Sequence, residues 1–453
     1  MRSDGRLPAV RSAIDRASPE DLVSLATDVG SAPMQVGAVL VLGGGTELDA
    51  DLLRAAVAER VRSVPRLRQR LVPTPPGCGR PIWVDAAGFD VGDHVSSVEC
   101  AAPGDEDSLL KIAAEVVGTR LPADRPLWRM TAVRGLDGDR TALIVAFHHV
   151  LADGIGGLAV LANLVDGSPV PTGVPFPQAA PPSRVLAREA LHARLAAIPR
   201  LPASLRRVRD AVVQLRPTAT THAVACSLNR PTGSRRRFLV VRARLDDVRR
   251  VAHAHGATVN DVVLAAAAAA LRALLSTRGE DVDRFVMSVP VSARLHATAT
   301  DLGNQVGVIP IEVPATGDAT ARLAAIAERT RAAKQSSRAA STALLGPVFR
   351  LLARLGIFQW FIDRQRLVHT FVTNLRGPDV RLSFLDRPIV DVIPVAVVTG
   401  NVTVSLAVLS YAGGLDITLI ADPDACPDLD VLRDALQGEL DGLLGPDPAR
   451  TGA

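Results

Sequence analysis

Apolar and polar positions change period several times along the chain, and each change marks an element. Pro33 to Leu42 (PMQVGAVLVL) is nearly unbroken apolar text closed by Gly43-Gly44-Gly45, which predicts a buried strand. Asp49 to Val64 instead spaces Leu52, Leu53, Ala56, Val57 and Val61 helically behind acidic residues, which suit a helix start. Leu109 to Val117 reads as a second helix. Trp128 to Val133 and Thr141 to Phe147 predict paired strands about the turn Gly135-Leu136-Asp137-Gly138, and a third helix is expected from Gly156 to Leu164. Six prolines among small residues between Gly167 and Pro182 mark an exposed linker. Arg184 to Arg216 is helical text broken at Pro199 and Pro202. Alternation then resumes: a strand at Phe238–Leu245, a helix at Leu245–His255, a long Ala-rich helix at Val259–Leu275 and a strand at Arg284–Val291. Val402–Ser410 and Leu415–Ala421 predict a hairpin about Ala412-Gly413-Gly414, and Asp428–Leu443 a closing helix. The expected fold class is α/β, as two α+β two-layer halves: residues 1–180, a helical connector at 181–220, and residues 221–453.

Composition narrows this picture. At 453 residues with 48% hydrophobic and 22% charged positions, the chain has ample material for two cores, which excludes wholesale disorder. The longest candidate for a membrane span, Val262 to Leu275, is mostly alanine and contains Arg272, so no spanning helix is expected. Residues 1–19 are rich in charge and lack an apolar stretch, so no signal peptide is expected. Cys78, Cys100, Cys226 and Cys426 lack metal-ligand spacing, which suits free thiols in a reducing cytoplasm and predicts no metal site. Net charge is +4, and Lys111 and Lys334 are the sole lysines, so almost every cation is a guanidinium, a good partner for phosphates. Eight of these arginines lie between Arg184 and Arg216. Aromatics make up 3% of residues and no nucleic-acid motif is present, so no nucleic-acid partner is expected.

The candidate chemistry lies in Phe147-His148-His149-Val150-Leu151-Ala152-Asp153-Gly154. An apolar strand delivers two adjacent histidines, and neighbouring strand residues point to opposite sides. One histidine therefore faces a given cavity and the other is held by backbone or packing. A neutral imidazole suits deprotonation of an alcohol that attacks an activated ester, with no serine or cysteine nucleophile. No GxSxG elbow is present.

HHxxxDG resembles the signature of the coenzyme A-dependent acyltransferase superfamily, which includes chloramphenicol acetyltransferase and condensation domains. Within it the chain is similar to the bacterial wax ester synthase/diacylglycerol acyltransferase family from about Ser18 to Leu443. Further matching segments are PMQVGAVL (33–40), PRLRQRL (65–71), Pro126-Leu127-Trp128, TVNDVVLAA (258–266), VPVSAR (289–294), GNQV (303–306), TNLRGP (373–378) and Ser410-Tyr411. Arg376 stands where the family usually has proline, and SPEDLVSLATD lacks the usual aromatic.

The resemblance implies two chloramphenicol-acetyltransferase-like domains with the active site at their interface. It implies His149 as general base, a mostly structural His148, and a turn at Asp153-Gly154. Asp153 either orients His149 as in a triad or pairs with Arg294 to brace the site, the second being favoured. Asn260 and Asp261 open the Ala-rich helix, where capping alone explains them, or they line the site. Trp128 is expected to shape the acyl pocket by packing, and Asn304 and Asn374 are candidate lining residues. No bound cofactor is implied; acyl-CoA is a co-substrate and diacylglycerol or a fatty alcohol the acceptor. A carrier-protein thioester donor, a complex lipid acceptor, and a non-catalytic lipid-binding role are the alternatives. Lipid substrates imply a cytoplasmic protein held peripherally at the inner membrane or at lipid droplets. Two segments suit that surface: the connector, and Leu344–Phe361, with Arg350 and Arg354 on one helical face and Phe349, Leu352, Ile357 and Phe361 for the other. A core helix pair is the other reading of Leu344–Phe361, and a solvated face that of the connector.

Overall fold

The computed structural model describes residues 14–44, 48–168, 175–200, 223–292, 306–336 and 341–445. The apolar run before the first glycines becomes β1 (Gln35–Leu42), paired antiparallel with β6 (Arg140–His148) over its whole length, Gln35 opposite His148 and Leu42 opposite Thr141. Eight of the nine residues of β6 are buried. Each large apolar side chain so buried is worth about 1.5–3 kcal/mol, which fixes the register that delivers the histidines. Alternate residues serve two cores: Leu143, Val145 and Phe147 on one face, Ile144 and Ala146 on the other.

Four helices belong to this half. They are α1 (Pro19–Thr27), α2 (Ala50–Arg60), α3 (Glu106–Gly118) and α4 (Gly154–Leu164), with N-caps Ser18, Asp49, Asp105 and Asp153. The short strands β2 (Gln69–Val72) and β3 (Ile82–Asp85) form a separate ladder, while β4 (Val95–Glu99) and β5 (Trp128–Leu136) extend the main sheet. The expected basic connector begins as α5 (Ser183–Ala197). It is docked rather than solvated on one side: Leu186 packs with Cys78 and Ile82, and Arg16 bonds Glu189 at 2.8 Å and the Leu186 carbonyl at 3.2 Å. The rest of the connector, 201–222, lies outside the described residues.

The second half opens with β7 (Arg237–Arg244), α6 (Leu245–Ala254) and α7 (Val259–Thr277). By length and composition α7 is apolar enough to cross a membrane, yet Val262 to Leu271 are all buried. It is the core helix of this half, packed by α6, by α8 (Ala319–Ser336) and by the closing helix Leu429–Leu444. The second sheet contains β8 (Arg284–Ser292), β9 (Val306–Pro314) and β10 (Thr370–Arg376), of which β9, β10 and α8 are not foreseen by the periodicity.

The halves are not separate in the chain. After β10 the chain crosses over: β12 (Arg387–Val395) pairs with β1 and β11 (Ser383–Phe384) with β12, so residues assigned by sequence to the second half complete the first sheet. Asp166 secures the crossing: its carboxylate accepts the N–H groups of Leu385 (3.0 Å) and Asp386 (2.9 Å), both at positive φ. Tyr411 secures the same turn from its flanks, its hydroxyl donating to the Ile389 carbonyl at 2.9 Å and accepting the Leu382 N–H at 2.8 Å. The chain then returns as β13 (Val404–Tyr411) and β14 (Gly414–Ala421) in the second sheet, and Ala407 and Ile420 share a core with Val39 and Ile144 of the first.

Leu344–Phe361 is not one helix. It folds as α9 (Ser341–Arg354) and α10 (Phe358–Ile362), parted at Gly356, which has φ +71°. Helical periodicity does not carry across that break, and the expected apolar face is corrected accordingly. Phe349, Phe358 and Phe361 turn toward one another at centroid distances of 5.5–6.4 Å. Val348, Leu351, Leu355, Ile357 and Trp360 face outward, Leu355 and Trp360 each 62% exposed.

Candidate active site

β6 ends at His148, and its neighbour enters the turn leading to α4. The two rings have different fates. His148 is buried, and its Nε2 donates to Oδ2 of Asp28 at 3.2 Å while its Nδ1 accepts the Val150 N–H at 3.0 Å. Both ring nitrogens are therefore committed within the protein.

His149 is half-buried. Its main-chain N–H donates to the Met34 carbonyl at 2.8 Å. Burial pushes its pKa below the ordinary histidine value; a hydrogen bond to its own main chain, then Asp153 and Asp21, oppose this. A neutral imidazole is a competent proton acceptor near pH 7.

Asp153 is buried and caps α4, its Oδ1 accepting the Gly156 N–H at 2.8 Å. Arg294 and Asn304 lie outside the described residues. Gly154 marks where the halves meet: a Cβ there would stand 2.7 Å from Cδ2 of Leu375 in β10. Next to Leu375, Asn374 donates to Oδ1 of Asn260 at 3.5 Å, so these two asparagines are brought together beside the seam. Asp261 is committed elsewhere. Its Oδ2 accepts from the Thr258 N–H and hydroxyl (2.8 and 2.7 Å), and its Oδ1 from the Thr330 hydroxyl at 2.7 Å. Trp128 is likewise committed to packing, 2% exposed, donating to the Leu67 carbonyl at 2.7 Å and stacked on His94 at 4.6 Å. That bond ties Pro126-Leu127-Trp128 to PRLRQRL.

Asp28 is a further residue of this site, one that the sequence pattern does not single out. Burial raises its carboxyl, but hydrogen bonds from His148, Arg120 and Met34 outweigh this and hold it at about 2. The available signal was its place at the end of SPEDLVSLATD, shortly before PMQVGAVL.

Residues 17–263 match the wax ester synthase/diacylglycerol acyltransferase catalytic domain, and residues 302–443 match the C-terminal domain of the same family. A probable diacylglycerol O-acyltransferase of Mycobacterium tuberculosis, tgs1, is 30% identical over 430 residues, covering 91% of each chain. A putative diacylglycerol O-acyltransferase of Mycobacterium bovis aligns with the same identity and coverage. The fold resembles the wax ester synthase/diacylglycerol acyltransferase of Marinobacter aquaeolei VT8, with TM-score 0.67, 22% identity, and 96% of this chain and 100% of that one covered. It also resembles the first condensation domain of the CDA synthetase, with TM-score 0.63, 19% identity and 96% of both chains covered.

Proposed function

The chain belongs to the wax ester synthase/diacylglycerol acyltransferase family of acyltransferases, and on that premise we propose that it transfers a long-chain acyl group from acyl-CoA to diacylglycerol or a long-chain alcohol, with His149 as base. The neutral imidazole of His149 takes the hydroxyl proton as the alcohol oxygen attacks the thioester carbonyl. The C–S bond breaks, and the imidazolium returns the proton to the departing thiolate, giving ester and free CoA. No metal or prosthetic group takes part in the proposed step. The observation that carries this reading is the division of labour within the histidine pair. His148 has both nitrogens engaged, whereas His149 is only half-buried and its pKa is lowered toward the neutral form by burial.

The Gly154–Leu375 contact supports a site at the seam, with Asn260 and Asn374 as lining residues and acyl-CoA and acceptor entering from opposite faces. Pairing of Asp153 with Arg294, and a lining role for Asn304, rest on the family resemblance.

A peripheral lipid-surface location belongs to the same proposal. The outward residues Val348, Leu351, Leu355, Ile357 and Trp360, flanked by exposed Arg354, Arg364 and Arg366, form an apolar patch with basic edges, which suits an anionic lipid layer. The four cysteines are free thiols, which supports a reducing, cytoplasmic setting.

An acceptor panel tests the assignment: labelled palmitoyl-CoA with diacylglycerol, hexadecanol or neither, products resolved by chromatography. Labelled triacylglycerol or wax ester is expected. Ester formed from palmitoyl-acyl carrier protein and not from palmitoyl-CoA would move the donor to a carrier-protein thioester.

A further inference from the structure

We propose that Asp28 is a positioning residue for His149, one carboxylate that fixes both the main chain and the neighbouring ring against which that base is set. The kinetic part of this inference rests on the acyltransfer reading above; the structural part does not.

Asp28 follows α1 directly. Its Oδ1 accepts the Met34 N–H at 3.0 Å, and the Met34 carbonyl in turn accepts the His149 N–H at 2.8 Å. Its Oδ2 accepts Nε2–H of His148 at 3.2 Å, and Nδ1 of that ring accepts the Val150 N–H at 3.0 Å. His149 therefore sits between two hydrogen bonds, one at its own N–H and one at the next residue's, and both lead back to the same carboxylate. The Leu151 N–H, bonded to the His148 carbonyl at 2.9 Å, closes the turn.

The chemistry of the donors leaves one tautomer for His148. A carboxylate is acceptor-only, so the proton belongs on Nε2; an N–H faces Nδ1, so the lone pair belongs there. The reverse tautomer sets N–H against N–H at Val150 and lone pair against lone pair at Asp28. Protonating both nitrogens repels the Val150 N–H as well. Arg120 donates to the same Oδ2 at 2.5 Å and to the Gly30 carbonyl at 3.2 Å, balancing the charge. Because burial is outweighed by these donors, the carboxyl is ionised at any working pH. Asparagine has the same shape but one acceptor, so it cannot meet Met34 and His148 together.

The test uses the full chain as wild type, Asp28→Asn and Asp28→Glu. Three quantities are read: kcat and KM for palmitoyl-CoA, melting temperature, and nitrogen-15 shifts of the His148 ring, assigned by their loss in His148→Gln. Asp28→Asn is expected to lower kcat about 10-fold to 100-fold with KM within about twofold, and to move the His148 ring off the Nε2–H tautomer. Asp28→Glu keeps the charge but misplaces one oxygen, and is expected to fold and to lose kcat severalfold; it decides the matter if Asp28→Asn does not fold. Wild-type kcat in the folded variants, or an unchanged His148 tautomer in Asp28→Asn, overturns the proposal. Lack of acyl transfer by the wild type contradicts the acyltransfer reading instead, and the ring shifts then decide the role of Asp28.

Discussion

At the scale of single residues, the account turns on the ionisation of His149. Burial holds its pKa below the ordinary value of 6.5. The neutral form is the base, so kcat/KM is expected to rise with pH through an acid limb centred below 6.5 and to be flat at pH 7. A limb centred above 7 in a stopped-assay pH profile contradicts this. Asp153→Asn retains a good helix cap but loses the charge. If Asp153 braces the site, melting temperature and turnover fall together; wild-type stability with greatly reduced turnover favours a triad. The histidine pair was legible in the sequence because an apolar strand ending in two histidines and Asp-Gly is an unusual local pattern. Asp28 was not legible, because its partner His148 is 120 positions away and only the fold joins them. The caps explain why Asp261 read as a candidate: an aspartate at a helix start looks the same whether it binds a ligand or its own backbone.

At the scale of elements, α9 and α10 carry the clearest prediction. Replacing both Leu355 and Trp360 with Asp removes outward apolar surface without touching the Phe349–Phe358–Phe361 cluster, so the fold is expected to persist while flotation with anionic liposomes is lost. Reversing Arg350 and Arg354 to Glu is expected to weaken the same binding and its dependence on anionic lipid. Undiminished flotation in both variants rejects the surface. α1 packs against α9, and a Cβ at Gly30 would stand 2.4 Å from Oε1 of Gln359, so this helix pair lies directly on the helix that ends at Asp28. Elements with strong local periodicity, such as β1, β6 and α7, were readable within a few residues. The crossing strand β12 was not: its register is set by β1 and its entry by Asp166, both far away in sequence.

At the scale of the whole molecule, the two halves are stitched by polar as well as apolar contacts. Arg242 of β7 bonds Glu106 of α3 at 2.5 Å and Asp391 of β12 at 2.8 Å, with Asp416 of β14 at 3.6 Å. Burial, then the neighbouring Asp391, pushes the Asp416 carboxyl up to about 8, although Arg242 opposes this. A carboxyl whose pKa is higher folded than unfolded contributes stability that is lost as pH rises from the unfolded value through the folded one. Melting temperature is therefore expected to fall between about pH 5 and pH 8 in the wild type relative to Asp416→Asn; parallel curves contradict it. A second contact between the halves is that of Gly154 with Leu375. Gly154→Ala is expected to cost about 1–3 kcal/mol through that contact, measured by chemical denaturation and partly recovered by Leu375→Ala.

The central claim is that this seam presents one basic histidine to an alcohol and a thioester. The most direct measurement is release of CoA thiol from palmitoyl-CoA, with and without diacylglycerol or hexadecanol, by wild type and His149→Ala at equal folded concentration. Acceptor-dependent release is expected from the wild type, with a loss of about 100-fold or more in His149→Ala. Equal release by the two proteins under every acceptor would contradict it.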